Sequence, residues 1–489
     1  MTPFAQPKHT VAIDTERYER LMANPLLVKC KKILNQLAPE ATMMIVGGAV
    51  RDMLLGDETP HDLDVVIRGA DTVNISKAFA DQLDGHWVPL DEKDGVYRVA
   101  FNNGAFSGQQ VDVTHCWGDT LVDDLGRRDL SINAMMLPVI PHDAKLLDPF
   151  GGWNDLQEKR IRLISEHNLL DDPLRMLRVF RGAAHIQATE LDAQTIEWIN
   201  THKTKVLEAA PERIHYELLR LLSMPNSFTY INAMLDCGLL ETILPEITPM
   251  RDIPPNNHHH LWLHTHSLEL IRQTERLLPT LDEEWQAYFN QSVTPDSNRQ
   301  AVIKLACLTH DMGKPDTYEI REGRPTFYGH EKVSEDITHA IGKRLKLSND
   351  LINQAKFLAR WHLYPCQFGH KSARKSVLRF FRRMGDQTPD ILLLALADRW
   401  STCGPEITPD ILEASDADHR WLLKEYRHEL SNLKQPPLLS GHQIMEALQI
   451  KPGKQIGVIL KQLEEAQQLG DIQTEEEALI WLKKQKEKN

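Results

Sequence analysis

One window of this sequence limits the possible fold more than any other: GGAVRDMLLGDETPHDLD, residues 47–64. It follows the apolar run ATMMIV (41–46) and leads into VVIRG (65–69), so it reads as strand, glycine turn, short helix and second strand. Residues i and i+2 of a strand face the same way, which sets Asp62 and Asp64 side by side. Two carboxylates that close repel unless a cation lies between them, so the spacing predicts a Mg²⁺ site. Ions held there activate a hydroxyl and steady a leaving pyrophosphate. Gly47 and Gly48 let the main chain approach a triphosphate, and Arg51, one helical turn on, is placed to pair with phosphate oxygens. A solitary DxD is more often a solvated strand end. The same pair behind a glycine turn and an arginine is far rarer.

The rest of the head is also strand-rich. VYRVAF (96–101) and QQVDVTH (109–115) read as two further strands, and Asp112 in the second is the candidate third metal carboxylate. Residues 17–37 have helical spacing and predict one lead-in helix. Past residue 155 the period changes to that of amphipathic helices, as in LLDDPLRMLRVFRGAAHI and PERIHYELLRLL. Turn-rich PPNNHHH (254–260) and the linker KQPPLLSG (434–441) punctuate this body. The expected organisation is a helical lead-in (1–40), an α+β head (41–155), a helical neck (156–250), a second helical domain (251–433) and a helical tail (434–489).

A formal net charge of −13 argues against a protein that coats nucleic acid indiscriminately, though not against one local basic surface. Six scattered cysteines with no CxxC make neither a zinc finger nor a disulfide framework. The first twenty residues lack the apolar core of a signal peptide, and no run approaches membrane-spanning length. The expectation is a cytoplasmic enzyme without a membrane partner.

The 47–66 window resembles the polymerase-β-type nucleotidyltransferases, and specifically the class II tRNA nucleotidyltransferase and bacterial poly(A) polymerase family. LGRRDLSINAM (125–135) is similar to that family's RRD motif, DPFGGWNDL (148–156) to its closing head segment, and PERIHYEL (211–218) to a later helical motif. DDPLRMLRVFR (171–181) is similar to the ED-x-x-R motif, with Asp171 in place of glutamate. The resemblance implies a small mixed sheet with helices, followed by a long all-α body. It implies that Arg127, Arg128, Asp129 and Asn133 contact the nucleotide. Asp172, Arg175 and Arg178 at i, i+3 and i+6 would form a helix stripe reading the base edges of CTP or ATP. The implied reaction is addition of CMP, and perhaps AMP, to the 3′ end of tRNA, with no DNA partner. Many relatives that add the whole CCA carry a longer flexible loop before the RRD motif than the 14 residues between Asp112 and Arg127 here. That departure raises a CC-only enzyme, and poly(A) addition is the rival within the class.

A second set of metal-ligand type lies in the body. HHHLWLHTHSL (258–268), LTHDMGK (308–314), FYGHE (327–331), RWHLY (360–364) and LALADRW (394–400) resemble the HD-domain phosphohydrolase signature. The expected ligands are His266, His310, Asp311 and Asp398, with His330 and His362 as additional ones, for Mg²⁺, Mn²⁺ or Ni²⁺. Such a site suits hydrolysis of phosphoesters at RNA ends, the reading from another enzyme class. His258, His259 and His260 sit in the Pro/Asn-rich break and are expected at the surface. Finally, residues 343–383 hold eleven Lys or Arg and one acid, Asp350. Lys375, Arg379 and Arg382 fall at i, i+4 and i+7 opposite an apolar stripe, a row able to track RNA phosphates.

Overall fold

The computed structural model describes residues 10–56, 62–257, 259–433 and 435–486. The chain divides into two compact units, residues 1–221 with 229–243, and residues 222–228 with 244–489.

The first unit is built on an eight-stranded sheet. Its strands are β1 (Thr10–Ala12), β2 (Thr42–Val46), β3 (Asp62–Arg68), β4 (His86–Asp91), β5 (Val96–Ala100), β6 (Gln110–His115), β7 (Met136–Ile140) and β8 (Lys145–Leu147). The spatial order is β1-β8-β7-β2-β3-β6-β5-β4, and every pairing is antiparallel except β3 with β6. That one parallel pairing requires a long crossover, which the helix Thr72–Leu83 and the β4–β5 hairpin supply. Its register sets Asp62 opposite Gln110 and Asp64 opposite Asp112.

The lead-in region departs from the sequence expectation. It is two helices, Thr15–Met22 and Pro25–Leu37, because Asn24 caps the second through Leu26 and Leu27 amides while Pro25 occupies its first turn. β1 precedes them and joins the sheet beside β8, so residues before 40 belong to the head's sheet. Helical spacing cannot reveal a break that a cap imposes. Strands β4, β7 and β8 and the helix Thr72–Leu83 were also not anticipated.

After the head come the helices Glu166–Asp171, Arg175–Ile186, Ala193–His202 and Pro211–Leu222. In the second unit Leu263–Leu277, Arg299–Thr309, His330–Arg344, Asn349–Trp361 and Thr388–Ser401 pack on one another. Their shared interior is continuous: the helix Arg299–Thr309 is buried from Gln300 to Thr309. Two short hairpins, Ser292–Thr294 with Ser297–Asn298 and Glu319–Arg321 with Arg324–Thr326, interrupt this otherwise helical unit. Beyond the linker, Gly441–Leu448, Lys454–Gln468 and Glu475–Lys486 enclose a separate small core that includes Leu439, Ile444, Leu463 and Leu482. Each such aliphatic side chain contributes about 1.5–3 kcal/mol on full burial. Among the described residues no helix is long and apolar enough to cross a membrane.

Candidate active site

Strand β2 ends at Val46, and the chain turns at Gly47 into the helix Gly48–Leu55. Gly47 has φ +69° and ψ −138°, a conformation essentially closed to residues with a Cβ. A Cβ there would also sit 2.7 Å from Asp64 Oδ2 and 3.4 Å from Arg128 Nη1. The glycine therefore lets the turn pass directly beneath the Asp64 carboxylate.

Asp64 shares its sheet face with the buried Val46 and Val66, which belong to an apolar layer with Met44, Leu121, Leu125 and Met136. Burial first, and then the charges of Asp112 and Asp62 against the opposing Arg128, raise its carboxyl to about 6. No hydrogen-bond donor among the described residues reaches it. Asp62, two residues earlier, is exposed. A half-buried carboxylate with anionic neighbours and no donor is the kind of group a divalent cation satisfies, so the donor set fits one.

Asp64 lies on the wall of a cavity of about 340 Å³. Gly47, Gly48, Arg127, Arg128, Asp129, Asn133, Arg175 and Arg178 line it, so most of the sequence-predicted nucleotide contacts meet here. Arg175 donates to the Asn168 and Arg127 carbonyls at 3.1 and 2.7 Å. Arg178 lies 3.2 Å from Glu217 and 3.6 Å from Asp129. The buried Glu217 also binds Arg181, so one carboxylate fixes two guanidiniums of the same helix. Arg127 stacks its guanidinium 3.8 Å from the Trp117 ring centroid, and Asp94 stands 3.8 Å away.

Three of the expected residues have surroundings the sequence did not show. Asp172 is not on the helix with Arg175 and Arg178: that helix starts at Arg175, whereas Asp172 is extended and binds Arg213 at 2.9 Å. Pro173 breaks the chain between them, and i, i+3, i+6 counting does not survive a break. Arg51 is engaged with its own neighbours, donating to both Asp52 oxygens at 2.7 and 2.9 Å and to Asn133 Oδ1 at 2.9 Å. Asn133 in turn donates to Asp129 at 3.2 Å. Asp112 stands beside Asp64, but both its oxygens accept from Arg98, each at 2.8 Å.

Sequence reasoning missed Arg98, Trp117, Asp94 and Glu217. Arg98 had a signal, since the alternation of VYRVA puts it on the face opposite buried Tyr97 and Val99. Glu217 had one too, as an acid on the apolar side of an amphipathic helix.

In the second unit the predicted histidines and aspartates converge from five helices. His266 Nε2 is 3.2 Å from Asp398 Oδ1 and 3.7 Å from Asp311 Oδ2, and His310 Nε2 is 3.2 Å from Asp311 Oδ2. Asp311 Oδ1 faces His330 at 3.2 Å and His362 at 3.7 Å. The Nδ1 atoms of His310, His330 and His362 each face a main-chain carbonyl, of Cys307, Phe327 and Ala359, at 2.7–2.9 Å. A carbonyl only accepts, so each Nδ1 carries a proton, and when the ring is neutral its Nε2 is left with the lone pair of a metal ligand. Burial and the neighbouring His310 pull His362 down to about 3, which keeps it neutral. His266 Nε2, His310 Nε2, Asp311 Oδ1 and Asp398 Oδ1 are buried without hydrogen-bond partners. That cost is removed by an ion, so the cluster fits one. Lys314 Nζ touches Asp311 Oδ2 at 2.6 Å.

Of the three histidines expected at the surface, His258 lies outside the described residues and His260 is exposed. His259 differs: it is half-buried, edge-on to His266 with ring centroids 4.6 Å apart. The row proposed for RNA is already partnered. Glu465 lies 3.0 Å from Lys375 and 2.7 Å from Arg379, and Gln468 accepts from Arg382. Those cations hold the helix Lys454–Gln468, although Lys375 and Arg379 stay more than half exposed.

A glycine turn under a strand-borne aspartate pair, opening on an arginine-lined cavity, defines a nucleotidyltransferase. Residues 43–162 match the family described as poly A polymerase head domain, 190–251 the one described as probable RNA and SrmB-binding site of polymerase A, and 263–402 the HD domain. The chain is 31% identical to the A-adding tRNA nucleotidyltransferase of Deinococcus radiodurans, over 90% of this chain and 94% of that protein. It is 32% identical to the CC-adding tRNA nucleotidyltransferase of Thermus thermophilus, over 89% and 92%. Among solved structures it resembles a CCA-adding enzyme with CTP, at TM-score 0.64 and 19% identity over 96% of this chain and 97% of that one. The chain belongs to the tRNA nucleotidyltransferase family.

Proposed function

We propose that this enzyme transfers CMP from CTP, and not a long run of AMP, to the 3′ end of tRNA lacking its terminal CCA. The observation that carries the reading is the cavity itself: the guanidiniums of Arg127, Arg128, Arg175 and Arg178 share its wall with Asp64, Asp94, Asp124 and Asp129, and of these carboxylates Asp64 is the one whose pKa is raised. A nucleoside triphosphate with its cation is the complementary ligand, anionic toward the arginines and cationic toward the aspartates. Solved relatives of this fold hold CTP, ATP and tRNA.

Asp62 and Asp64 would hold Mg²⁺, which when bound lowers the pKa of the acceptor hydroxyl and stabilises charge on the leaving pyrophosphate. Gly47 and Gly48 give the phosphates access to main-chain amides. Arg128 faces the Gly47 turn and Asp64, placing positive charge beside the triphosphate. Arg175 and Arg178 present donors to the base, held at fixed distance by Glu217, Asp129 and the Asn168 carbonyl. The acceptor 3′ oxygen forms a bond to the α-phosphorus, the bond to the β-phosphate oxygen breaks, and the hydroxyl proton leaves to base or water.

The narrower reading is addition of CC alone. Between Asp112 and Arg127 the chain is a strand end, a short turn and the helix Leu121–Gly126, pinned by a Thr120–Asp123 capping box and by Trp117 N–H donating to Asp124. A segment so anchored has little freedom to reshape the cavity between two bases. The test is incubation of the purified chain with tRNA ending at the discriminator base, with CTP and ATP separately and together, then sequencing of product ends. CC ends support the narrow reading, CCA ends refute it alone, and long A tails refute both. The cytoplasm is the compartment proposed for this activity.

The second unit supports a divalent-metal site held by His266, His310, Asp311 and Asp398, with His330 and His362 facing Asp311 from the other side. Mg²⁺, Mn²⁺ or Ni²⁺ there would supply a hydroxide for phosphoester hydrolysis. His330 opens onto a cleft of about 640 Å³ walled by Phe327, Tyr328, Trp361 and Tyr364, a shape suited to a nucleotide. Metal content of the wild type beside the His310→Ala, Asp311→Ala double variant tests it, and equal content would refute it.

A further inference from the structure

Arg127 differs from the other arginines of the cavity. Arg175 is engaged by two main-chain carbonyls, and Arg178 by Glu217 and Asp129. Arg128 faces Asp124 at 3.5 Å. Among the described residues the Arg127 side chain donates no hydrogen bond, and Asp94, 3.8 Å away, stands at the outer limit of an ion pair. Both members of that pair are more than 40% exposed, where such a contact contributes little. What holds Arg127 is the Trp117 ring.

The guanidinium carbon lies 3.8 Å from the ring centroid. So short a separation is face-to-face contact, because an edge-on guanidinium would put an N–H between its carbon and the ring. A carboxylate partner would occupy N–H donors. A stacked ring occupies only the face and leaves the donors, which lie in the guanidinium plane, to a ligand.

Trp117 is itself fixed from several sides. Its main-chain N–H donates to Asp124 Oδ1 at 3.0 Å, and its Nε1 donates to the Asp94 carbonyl at 3.4 Å. Its ring lies 5.0 Å from that of His115. The β4–β5 turn packs on His115 so closely that a Cβ on Gly95 would come within 2.5 Å of Nδ1. Thr120 caps the start of the helix Leu121–Gly126 and Arg127 closes its end. The two flanks of that short helix therefore meet through the indole, and Trp117 and Arg127 both line the cavity.

Resting on the nucleotidyl-transfer reading above, we infer that Trp117 is a positioning residue for the incoming nucleotide: its ring fixes the plane of the Arg127 guanidinium and leaves the N–H edge free for a phosphate of CTP. The phosphate meets Arg127, so Trp117 acts only through it. The flat face of Trp117 is the part that matters, and its Nε1–H is secondary.

The experiment uses the full chain and measures KM for CTP, KM for a tRNA transcript ending at the discriminator base, and Kd for CTP alone by isothermal titration. Trp117→Leu keeps apolar bulk without a π face. It is expected to raise both CTP constants about five- to thirtyfold, the range of a partly desolvated cation–π contact. Transcript KM should stay within about twofold. Trp117→Phe restores a face without the Nε1 donor and should recover most of the loss. On an Arg127→Ala background, Trp117→Leu should add less than about twofold, because a residue that acts through another has no effect once that other is gone. Unchanged CTP constants in Trp117→Leu, an equal rise in transcript KM, a Trp117→Phe no better than Trp117→Leu, or effects that multiply in the double variant would overturn the inference. A wild type that binds CTP yet extends no tRNA overturns the functional reading instead, and the CTP Kd values still decide the role of Trp117.

Discussion

Replacing Asp64 by asparagine should stabilise the metal-free protein while abolishing its activity. Burial and the nearby Asp112 and Asp62 charges raise this carboxyl from 3.8 to about 6. At 1.36 kcal/mol per pKa unit, ionised Asp64 costs the folded head up to about 3 kcal/mol, an upper figure because the side chain keeps some contact with water. The sign follows from proton counting. Between about pH 4 and 6 the folded state holds a proton that the unfolded chain has released, so wild-type stability falls as pH rises. Below about pH 4 both states are protonated and the charge has no effect. Above about pH 6 the loss is complete. Urea unfolding of both proteins in chelator, from pH 4 to 8, should give midpoints that coincide at the acid end and separate by up to about 3 kcal/mol equivalent above pH 6. A gap independent of pH, or a variant less stable at pH 7.5, would show that Asp64 is not held as an uncompensated anion. The reasoning for a cation at this site would then fail.

Gly47→Ala should cost about 1–3 kcal/mol through its φ of +69° and push Asp64 aside. CMP incorporation should fall roughly a hundredfold, the effect of a 1 Å misplacement; wild-type turnover would refute the close approach. Lys304 is fully buried and donates to the Met224 carbonyl, Ser227 and Glu275, so Lys304→Met should destabilise by about 3–5 kcal/mol, visible as a lowered melting temperature. Glu465→Gln should release Lys375 and Arg379 from their shared partner. If that row contacts RNA, the variant binds tRNA more tightly with a steeper salt dependence; unchanged binding would leave the row a structural contact only.

Much of the head was legible because local rules and tertiary demands coincide there. Period-2 alternation gave β3 and β6, the glycine pair marked the turn, and Asp62 with Asp64 needed only strand geometry to be set side by side. The histidine centre was legible for a related reason: His310 and Asp311 stand in an apolar run at the end of the helix Arg299–Thr309, and so conspicuous a departure from burial preference required a partner. The unforeseen contacts share a physical cause. Asp172 was counted onto a helix that Pro173 interrupts, and Arg51 was read without the partners Asp52 and Asn133 that hold it. Lys375, Arg379 and Arg382 were read as a row for RNA phosphates, and their partners Glu465 and Gln468 were not foreseen because the helix that supplies them lies 86–90 residues further along the chain.

The sequence by itself determined which residues carry charge, where the strands of the aspartate pair and the amphipathic helices of the body form, and that two clusters of carboxylate and imidazole would seek cations. Those properties depend on neighbours a few residues away, through dihedral preference and side-chain periodicity. Only the tertiary structure decided which arginines line the cavity and which are consumed by other side chains. The parallel register of β3 against β6 brings Asp112 beside Asp64, the cross-strand neighbour Arg98 takes both Asp112 oxygens, and Glu217 holds Arg178 and Arg181. A charged group's partner is set by distance in space, and a chain folded into a mixed sheet and packed helices sets that distance independently of separation along the sequence.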